Sequence, residues 1–310
     1  MLATEDRLQA PVREERIETH LSVVSLFAHD VLKTLKPVRY PFVDLSTPAL
    51  RRAECEAELV HNRPWAPGVY LDVVDVSGDP PRRVEHGEPA VHMRRMPADR
   101  TLVALRDTLD ADTLARVGAF IRERHDAMAS RPGSSQPTAV WHRIDDNLAE
   151  LRVALGSDHE PLMARLARAR DRLHASTSAL LADRAGSGRA LHGDLRAEHV
   201  YVLHDGLAIL DGVAFSEDLA SGDPLEDVAF LAMDLGCTLQ RRDLVAALWG
   251  GWGAPGPSAL HDLYVGHRSL IRAKIARLSG DPEGVLRHLL HALVSWELPD
   301  RRPVLIGVGG

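Results

Sequence analysis

The reactive side chains that stand out in this sequence are two aspartates and two histidines around residue 200, namely His192, Asp194, His199 and Asp211. A pair of carboxylates suits a site in which one group accepts a proton and the other supplies oxygen ligands to a hard cation such as Mg²⁺. The two imidazoles beside them would also suit a metal-dependent phosphohydrolase that works with Mn²⁺ or Zn²⁺. Both interpretations require a fold that brings the four side chains together.

A β-hairpin is predicted to do this. The segments HVYVL and LAILD have the composition of short strands, and the Asp205-Gly206 pair between them is a typical hairpin turn. A three-residue loop pairs His199 with Asp211 across the antiparallel ladder, and a two-residue loop shifts this pairing by one position. In either register the residues that precede the first strand arrive beside Asp211, so we expect Asp194 to lie close to it.

The first hundred residues contain short β-branched runs that indicate a strand-rich lobe. Residues 21–27 and 31–35 predict a hairpin with a turn at 28–30. Residues 69–76 and 90–96 predict two further strands, separated by a polar loop whose prolines and glycines block regular structure.

One helix is expected within this lobe, over residues 47–62. Thr47 is followed by a proline at the first helical position, which is a common way for a helix to begin. Its core-facing side is predicted from the apolar residues at helical spacing, Leu50, Ala53, Ala57 and Val60.

From residue 112 onward the hydrophobic pattern becomes that of helices. The predicted helices span residues 112–129, 145–155, 161–181, 224–235, 243–249, 258–278 and 282–298. A strand-rich part followed by a mainly helical part predicts an α+β fold with two lobes.

Composition argues against several other functions. Because 44 Asp and Glu outnumber 37 Lys and Arg, the formal charge is −7, and no excess of positive charge is available for nucleic acid. No run approaches the roughly eighteen apolar residues of a membrane span, and the N-terminus lacks the apolar core of a secretory signal. Two cysteines are too few for a disulfide framework. We therefore expect a cytoplasmic protein without a membrane or nucleic-acid partner.

The segment HGDLRAEH, followed by a hairpin that ends in Asp, resembles the catalytic and metal-binding loops of the aminoglycoside phosphotransferase and choline kinase-like family, which is related to the protein kinases. The resemblance implies a bilobal protein-kinase-like fold that uses ATP or GTP with Mg²⁺. It assigns Asp194 as the catalytic aspartate, His192 as the residue that orients the loop, and Asp211 as the metal ligand. Arg196 would take the place of a phosphate-contacting lysine, and Asp227 would be the buried aspartate that braces the loop.

The resemblance extends upstream. Lys33 falls where the family has the strand lysine that meets the nucleotide phosphates, and Glu58 is the best candidate for its helical partner, with Glu54 and Glu56 as alternatives. Residues 91–96 resemble the hinge strand, which implies that the backbone groups of Val91 and Met93 hold the adenine base.

The segments ETHLSVV, PVRYPFVDLST, AVHMRRMP, DVAFLAMDL and LIRAKIARL resemble one bacterial branch of the family, whose members carry a C-terminal P-loop ATPase half. This implies a nucleotide-binding lobe and hinge over residues 1–96, a helical catalytic lobe over 97–300, and the start of a truncated P-loop domain at 301–310. The missing half is then a partner within a longer protein.

The sequence also departs from the family pattern. His199 stands where the family has a metal-binding Asn, and imidazole is a poorer Mg²⁺ ligand than an oxygen. Ala214 stands where the related branch tends to have Glu. The first hairpin has no glycine-rich signature, so Thr19, His20, Ser22 or turn amides must contact the phosphates.

These features predict a phosphotransferase that uses Asp194 as base and acts on a hydroxyl of a small metabolite or an aminoglycoside-like acceptor. Acidic residues such as Glu217, Asp218 and Asp223 would favour a cationic or sugar-like acceptor. The departures leave a second interpretation open, in which a catalytically degenerate kinase fold binds nucleotide and regulates a fused P-loop ATPase. The metal-dependent phosphohydrolase ranks third.

Overall fold

The structure is a computed structural model that describes residues 15–40, 43–254 and 258–297. Residues 301–310, where the sequence predicts the start of a P-loop domain, lie outside the described residues. The chain divides into two compact units. The first contains the described residues of Met1–Leu105 together with His192–Asp194 and Glu198–Ala220, and the second contains the described remainder.

Short strands dominate the first unit, and two more pair within the second. In chain order they are β1 (Glu15–Glu18), β2 (Ser22–Leu26), β3 (Asp30–Leu35), β4 (Arg39–Tyr40), β5 (Val43–Asp44), β6 (Tyr70–Ser77), β7 (Arg82–Arg83), β8 (Glu88–Arg94), β9 (Arg189–Ala190), β10 (Val200–Val202), β11 (Leu207–Ile209) and β12 (Ser221–Gly222).

Six of these strands form an antiparallel sheet in the order β1-β2-β3-β8-β6-β7. The predicted hairpin of β2 and β3 is confirmed, with Leu26 opposite Val31 and Ser22 opposite Leu35. Strand β1 was not predicted, because its four residues are polar or exposed and show no alternation. The polar loop after β6 also contains a short strand, β7, which pairs with the end of β6.

Helix α1 (Pro48–Asn62) packs on strands β6 and β8. It begins as predicted, since Thr47 accepts a hydrogen bond from the N–H of Leu50 and Pro48 takes the first helical position. The predicted apolar face is wrong, because the four residues that define it are exposed, namely Leu50, Ala53, Ala57 and Val60.

The face of α1 that is buried consists of residues spaced by four, three and four positions, Arg51, Cys55, Glu58 and Asn62. Three of these four are polar. Burying them is costly unless each finds a partner, so their partners show why the helix turns this face inward. Arg51 pairs with Glu88 of strand β8, and Glu58 and Asn62 belong to the candidate site.

The second unit is mainly helical. Its helices are α2 (Ala111–Ala127), α3 (Pro137–Leu155), α4 (Glu160–Asp183), α5 (Leu225–Cys237), α6 (Val245–Trp252), α7 (Ala259–Leu278) and α8 (Pro282–Glu297). The predicted helices are present, and the α+β prediction is confirmed. The largest difference is in α3, which begins at a proline eight residues before the predicted start at 145, because proline is well tolerated in the first helical turn.

Helix α5 lies at the centre of the second unit. Its residues from Leu225 to Leu235 are all buried, including three acidic residues, and it packs against α6 and α7. A helix buried on every side supports its polar residues only if they are hydrogen-bonded, so these acids are expected to fix neighbouring segments.

Among the described helices, none combines the length and the apolar character required to cross a bilayer.

Candidate active site

The hairpin of β10 and β11 has the two-residue loop, not the three-residue loop. Val202 lies opposite Leu207 and Val200 opposite Ile209, and the N–H of Leu203 donates to the carbonyl of Gly206. His199 is consequently opposite Leu210, whose N–H donates to the His199 carbonyl at 3.0 Å. The three-residue register, which pairs His199 with Asp211, is therefore wrong by one position.

The segment His192–Asp194 is fixed against the residues that follow β11. The His192 ring is fully buried, its Nε2 lies 3.0 Å from the Leu210 carbonyl oxygen, and its own carbonyl accepts from the N–H of Val213 at 2.8 Å. Gly193 has a φ of 85°, and a Cβ there would lie 3.1 Å from the Val213 side chain. Glycine is thus required both by conformation and by this close approach.

His199 lies between the two aspartates that the sequence singles out. Its Nδ1 is 2.9 Å from the backbone oxygen of Asp194 and 3.7 Å from that residue's carboxylate. Its Nε2 is 3.9 Å from the Asp211 carboxylate and 3.7 Å from that of Glu198. One imidazole therefore faces both Asp194 and Asp211, so the structure brings the predicted pair of carboxylates to a common group.

Lys33, on strand β3, joins the helix to the hairpin. Its ammonium donates to the Glu58 carboxylate at 2.8 Å and to the Asp211 carboxylate at 3.1 Å. Glu58, not Glu54 or Glu56, is thus the helical acid that accepts this bond. The Lys33 and Glu58 side chains are 16% and 7% exposed, whereas that of Asp211 is 59% exposed, so water screens the Asp211 contact more strongly.

The charges in this cluster support one another. Burial alone would lower the pKa of Lys33, but the carboxylates of Glu58 and Asp211 more than offset it and raise that pKa well above its usual value. In return the Lys33 ammonium holds the pKa of Asp211 well below its usual range. Lys33 is therefore charged and Asp211 ionised, which is the state in which they can bind anionic phosphates and a cation.

Asp211 is held in a backbone conformation that residues other than glycine rarely adopt, with a φ of 63°. Its N–H donates to the Tyr70 hydroxyl at 3.0 Å, and the next N–H, of Gly212, donates to Asn62 Oδ1 at 2.7 Å. Tyr70 and Asn62 were missed by sequence reasoning. The signal for Asn62 was its position four residues after Glu58 on the same helical face, whereas nothing in the sequence pointed to Tyr70.

Val91 and Met93 lie inside the sheet, not at its edge. Val91 is paired with Lys33 on one side and Val73 on the other, and Met93 is paired with Val31 and Tyr70. Both side chains belong to the buried core of the unit. The backbone groups of Val91 and Met93 take part in strand pairing on both sides. The predicted adenine contact through these backbone groups would therefore compete with the hydrogen bonds of the sheet.

The first hairpin of the sheet is formed by β1 and β2, so the turn at residues 28–30 is the second hairpin turn. The first turn, at residues 19–21, is closed by Thr19, whose Oγ1 accepts from the N–H groups of Leu21 and Ser22. Lys36 Nζ donates to the Thr19 carbonyl at 2.6 Å. Side-chain hydroxyls thus take the part that glycines would play in shaping this turn.

Asp227 and Arg196 belong to the second unit. Asp227 is fully buried and lies 3.0 Å from Nε2 of His125, whose Nδ1 accepts from the indole N–H of Trp252. Indole nitrogen can only donate, so the proton of a neutral His125 is on Nε2 and points at Asp227. Asp234 was not predicted, yet it accepts the N–H of Ala197 at 2.8 Å. The role of Arg196 stays a prediction.

The carboxylate and imidazole groups of this cluster suit a cation that is held partly by the nucleotide phosphates. Within the described residues, no group of three or more His, Cys, Asp and Glu side chains is arranged to hold a metal ion. A catalytic zinc site usually takes three protein ligands, so these residues add no support to the phosphohydrolase interpretation. Mg²⁺ is commonly held by one or two carboxylates and by substrate phosphates, and the exposed, ionised Asp211 supplies such a carboxylate.

Comparison with known proteins places the chain in a family. The sequence profile of the phosphotransferase enzyme family matches residues 80–263. An uncharacterised protein of Mycobacterium tuberculosis is 32% identical over 94% of this chain and 61% of its own length, and a protein of Mycobacterium bovis gives the same values. This chain thus spans about 61% of the length of these curated relatives.

Solved structures share the fold. A choline/ethanolamine kinase family protein from Mesorhizobium loti aligns with a TM-score of 0.56 at 17% identity, over 93% of this chain and 89% of its own. A thermostable mutant of an aminoglycoside phosphotransferase, in complex with AMP-PNP and hygromycin B, aligns with a TM-score of 0.57 at 14% identity, over 94% of this chain and 95% of its own. A glucosamine kinase in complex with glucosamine, ADP and phosphate aligns with a TM-score of 0.56 at 15% identity, over 90% of this chain and 75% of its own.

The strand-rich unit, the helical unit and these alignments define an α+β protein with the protein-kinase-like fold. The chain belongs to the phosphotransferase enzyme family. The resemblance to aminoglycoside phosphotransferases and choline kinases is confirmed, whereas the fusion to a P-loop ATPase remains a prediction.

Proposed function

We propose that this protein transfers the γ-phosphoryl group of ATP or GTP to a hydroxyl group of a small acceptor. The observation that carries the proposal is the position of Lys33, which bonds the carboxylates of Glu58 and Asp211 at once. Phosphoryl transfer in protein kinases needs a strand lysine paired with a helical glutamate, together with a metal-binding aspartate. Lys33, Glu58 and Asp211, which lie in one cluster, would supply all three.

Lys33 would bind the nucleotide phosphates. A lysine ammonium has three donors, and here one is directed at Glu58 and one at Asp211, which leaves a third for a phosphate oxygen. Glu58 is the better shielded partner, so it would keep Lys33 in place when a nucleotide competes for the contact with Asp211.

Asp211 would hold Mg²⁺, with His199 as a second ligand and the phosphates completing the coordination. When bound, the ion neutralises the charge of the phosphates and orients them for in-line transfer. The protein's contribution is to fix the carboxylate in advance, through the contacts of Tyr70 and Asn62 with the backbone at residues 211 and 212.

Asp194 would accept the proton of the acceptor hydroxyl. The contact of its carbonyl with His199 Nδ1 restrains its backbone, and its side chain remains 25% exposed, so an acceptor can reach it. A positioned base of this kind contributes a rate factor of about 10²–10⁴. His192, which is fully buried at the start of the segment His192–Asp194, would orient that segment.

Adenine would be held at Met96. The ladder between β3 and β8 ends at Arg94, and the next N–H, of Arg95, donates to the His29 carbonyl at 2.7 Å. Within the described residues, the N–H of Met96 makes no hydrogen bond, and its side chain packs against the core that contains Val91 and Met93. Nucleotides bound to the similar structures, GDP, AMP-PNP and ADP, support a nucleotide site.

The acceptor would be a small hydroxylated molecule, with a cationic or sugar-like one favoured by the exposed acids Glu217 and Asp218. Asp223 leaves this group. It is fully buried, bonded to Arg184 and to the Tyr264 hydroxyl, and so has no capacity to attract an acceptor. Hygromycin B and glucosamine, which are present in two of the similar structures, belong to the same chemical class.

Assays of Asp194→Asn test the proposal, with Asp205→Asn in the exposed hairpin loop as the matched control. The full chain is supplied with MgATP or MgGTP and with choline, glucosamine or hygromycin B, and nucleoside diphosphate release is measured. Asp194→Asn should lose about 10²–10⁴ in turnover while retaining nucleotide-dependent thermal stabilisation. Wild-type turnover in Asp194→Asn contradicts the role of Asp194.

The second candidate is a nucleotide-binding regulatory module, and the observation that favours it is His199 in place of an oxygen ligand. Its signature is thermal stabilisation by MgATP without diphosphate release for any acceptor. The P-loop ATPase predicted to follow this chain would be the regulated partner, and a coding sequence that lacks a GK[ST] segment downstream of residue 310 contradicts that fusion.

A further inference from the structure

The helical unit contains a cavity of about 440 Å³ that the proposed reaction does not use. It lies among the C-terminal end of α2, the segment before β9, and the N-terminal ends of α5 and α7. Three arginines line it, Arg122, Arg184 and Arg189, and one carboxylate, Asp126. A cavity of this size matches small-molecule sites, which occupy about 300–1,000 Å³.

One positive charge in the cavity has no carboxylate partner in the part of the chain that the structure describes. Arg122 is bonded to Asp126 through both carboxylate oxygens, and Arg184 is bonded to the buried Asp223. Arg189 makes no side-chain hydrogen bond or ion pair within the described residues. Its backbone is fixed, because it lies opposite Gly222 in the ladder of β9 and β12 and forms a bridge with Ser130.

A second unmatched group faces the same space. His261 is only 8% exposed, and its ring stacks on Trp249 with centroids 3.8 Å apart and planes within 1°. Its imidazole nitrogens have no hydrogen-bond partner among the described residues. Burial lowers the pKa of His261 to about 4, so the ring is neutral and offers one N–H donor.

The surroundings favour an anion. Ser258 caps α7 and lines the cavity, so the positive dipole end of this helix adjoins it. A guanidinium and a neutral imidazole N–H are both donors that bind phosphate oxygens, and both line this cavity. Leu225, Leu260 and Trp252 line the remaining space with apolar surface, which suits a small organic portion.

We propose that this cavity binds a small phosphorylated metabolite, with the phosphate group held by Arg189 and His261. The site is separate from the proposed nucleotide cluster, none of whose residues line it. Its ligand need not be consumed, and the proposal stands whether or not the protein transfers phosphate.

Calorimetric titration of the full chain tests the proposal with inorganic phosphate and glycerol 3-phosphate as probes, glycerol as the uncharged control and citrate as the carboxylate. Both phosphates should bind, and glycerol should not. Arg189→Gln should weaken the affinity for glycerol 3-phosphate by about tenfold or more, because it removes a hydrogen bond from a charged group. Arg277→Gln, at the exposed far end of α7, should leave its affinity unchanged.

Two further variants locate the bound phosphate within the chain. Ser187→Asp places a negative charge in the cavity and should abolish binding, and it covers the case in which Arg189→Gln fails to fold, as judged by circular dichroism. Lys33→Met combined with Glu58→Met, which removes the lysine without leaving Glu58 unpaired, should leave the phosphate affinity unchanged. Loss of binding in that double variant would show that the phosphates occupy the nucleotide site. No binding at millimolar phosphate, equal weakening by Arg277→Gln, or citrate binding as tight as glycerol 3-phosphate would each overturn the proposal.

Discussion

Asn62 bonds the backbone of Gly212 in both directions, accepting the Gly212 N–H at 2.7 Å and donating from Nδ2 to the Gly212 carbonyl at 3.3 Å. The same amide nitrogen donates to the Glu58 carbonyl one turn earlier in α1. A single buried side chain therefore couples the helix that carries Glu58 to the backbone next to Asp211. The spacing between the two acids that contact Lys33 depends on this amide.

Asn62→Ala tests that dependence. Removing the amide leaves a buried N–H without its acceptor, which should cost about 1–3 kcal/mol of unfolding free energy. Because Asp211 loses its neighbouring support, MgATP affinity should fall as well. Urea unfolding and nucleotide titration measure the two effects.

Asn147→Ala is the matched control for this experiment. Asn147 also donates from Nδ2 to a carbonyl one turn earlier, that of Arg143, and accepts from Lys274, but it lies in the second unit. It should lower stability without changing MgATP affinity. Equal losses of nucleotide affinity in both variants would mean that Asn62 acts only through global stability.

Lys33→Met separates nucleotide binding from structural pairing. The substitution leaves the Glu58 carboxylate, 7% exposed, without its ammonium, and breaking such a pair costs about 3–5 kcal/mol. Lys33→Met with Glu58→Met should recover stability but not nucleotide affinity, because the phosphate contact is still missing.

Lys36→Met provides the control, since Lys36 pairs with the exposed Glu18 on the same hairpin. Thermal unfolding with and without MgATP gives the stability and the nucleotide-dependent stabilisation of the wild type, Lys33→Met, the double variant and Lys36→Met. Unchanged nucleotide stabilisation in Lys33→Met would remove this lysine from the proposed site.

His199→Asn tests how the chain's departure from the family pattern affects its choice of cation. An imidazole nitrogen is a poorer ligand for Mg²⁺ than for a transition metal such as Mn²⁺, whereas an amide oxygen suits both ions. The wild-type chain should bind ATP more tightly with Mn²⁺ than with Mg²⁺, and the variant should narrow the difference.

Titrations of ATP in each metal, with Mn²⁺ occupancy read by electron paramagnetic resonance, measure this preference. His204→Asn, in the exposed hairpin loop, is the control. A ratio of affinities that is the same in His199→Asn and in the wild type would show that the imidazole does not touch the cation.

The sequence predicted the site cluster better than it predicted the surfaces around it. The proximity of Lys33, Glu58, Asp194 and Asp211 could be predicted because each has a fixed place in an ordered series of strands, helix and hairpin, whereas their roles stay predictions. The buried face of α1 was predicted on the wrong side, since hydrophobic spacing favoured Leu50 and Val60, which are 41% and 73% exposed. The buried face carries Glu58 instead, which pairs with Lys33. A hydrophobic pattern contains no information on such a pairing of charged residues.

Register and backbone strain were also beyond the sequence. A shift of one residue in the β10–β11 loop moved the partner of His199 from Asp211 to Leu210. Asp205-Gly206 permits either loop, so only the packing of the hairpin, where the N–H of Ile209 bonds the Trp65 carbonyl, selects one. The positive φ of Asp211 is likewise accompanied by a hydrogen bond to Tyr70, which is distant in sequence.

Acid stability should depend on buried histidines such as His288. Burial, aided by Arg272 and Arg287, lowers the pKa of His288 from 6.5 to about 4, so the unfolded chain takes up this proton more readily than the folded one. The stabilisation is complete above pH 6.5 and is lost as the pH falls toward 4. Between about pH 6.5 and pH 5 one such histidine lowers the free energy of unfolding by up to about 2 kcal/mol.

Urea unfolding at a series of pH values should show this decline in stability, and His288→Gln, which cannot titrate, should make it shallower. A control substitution of the exposed His86 should leave the slope unchanged, and an identical slope in His288→Gln would assign the acid sensitivity to other groups.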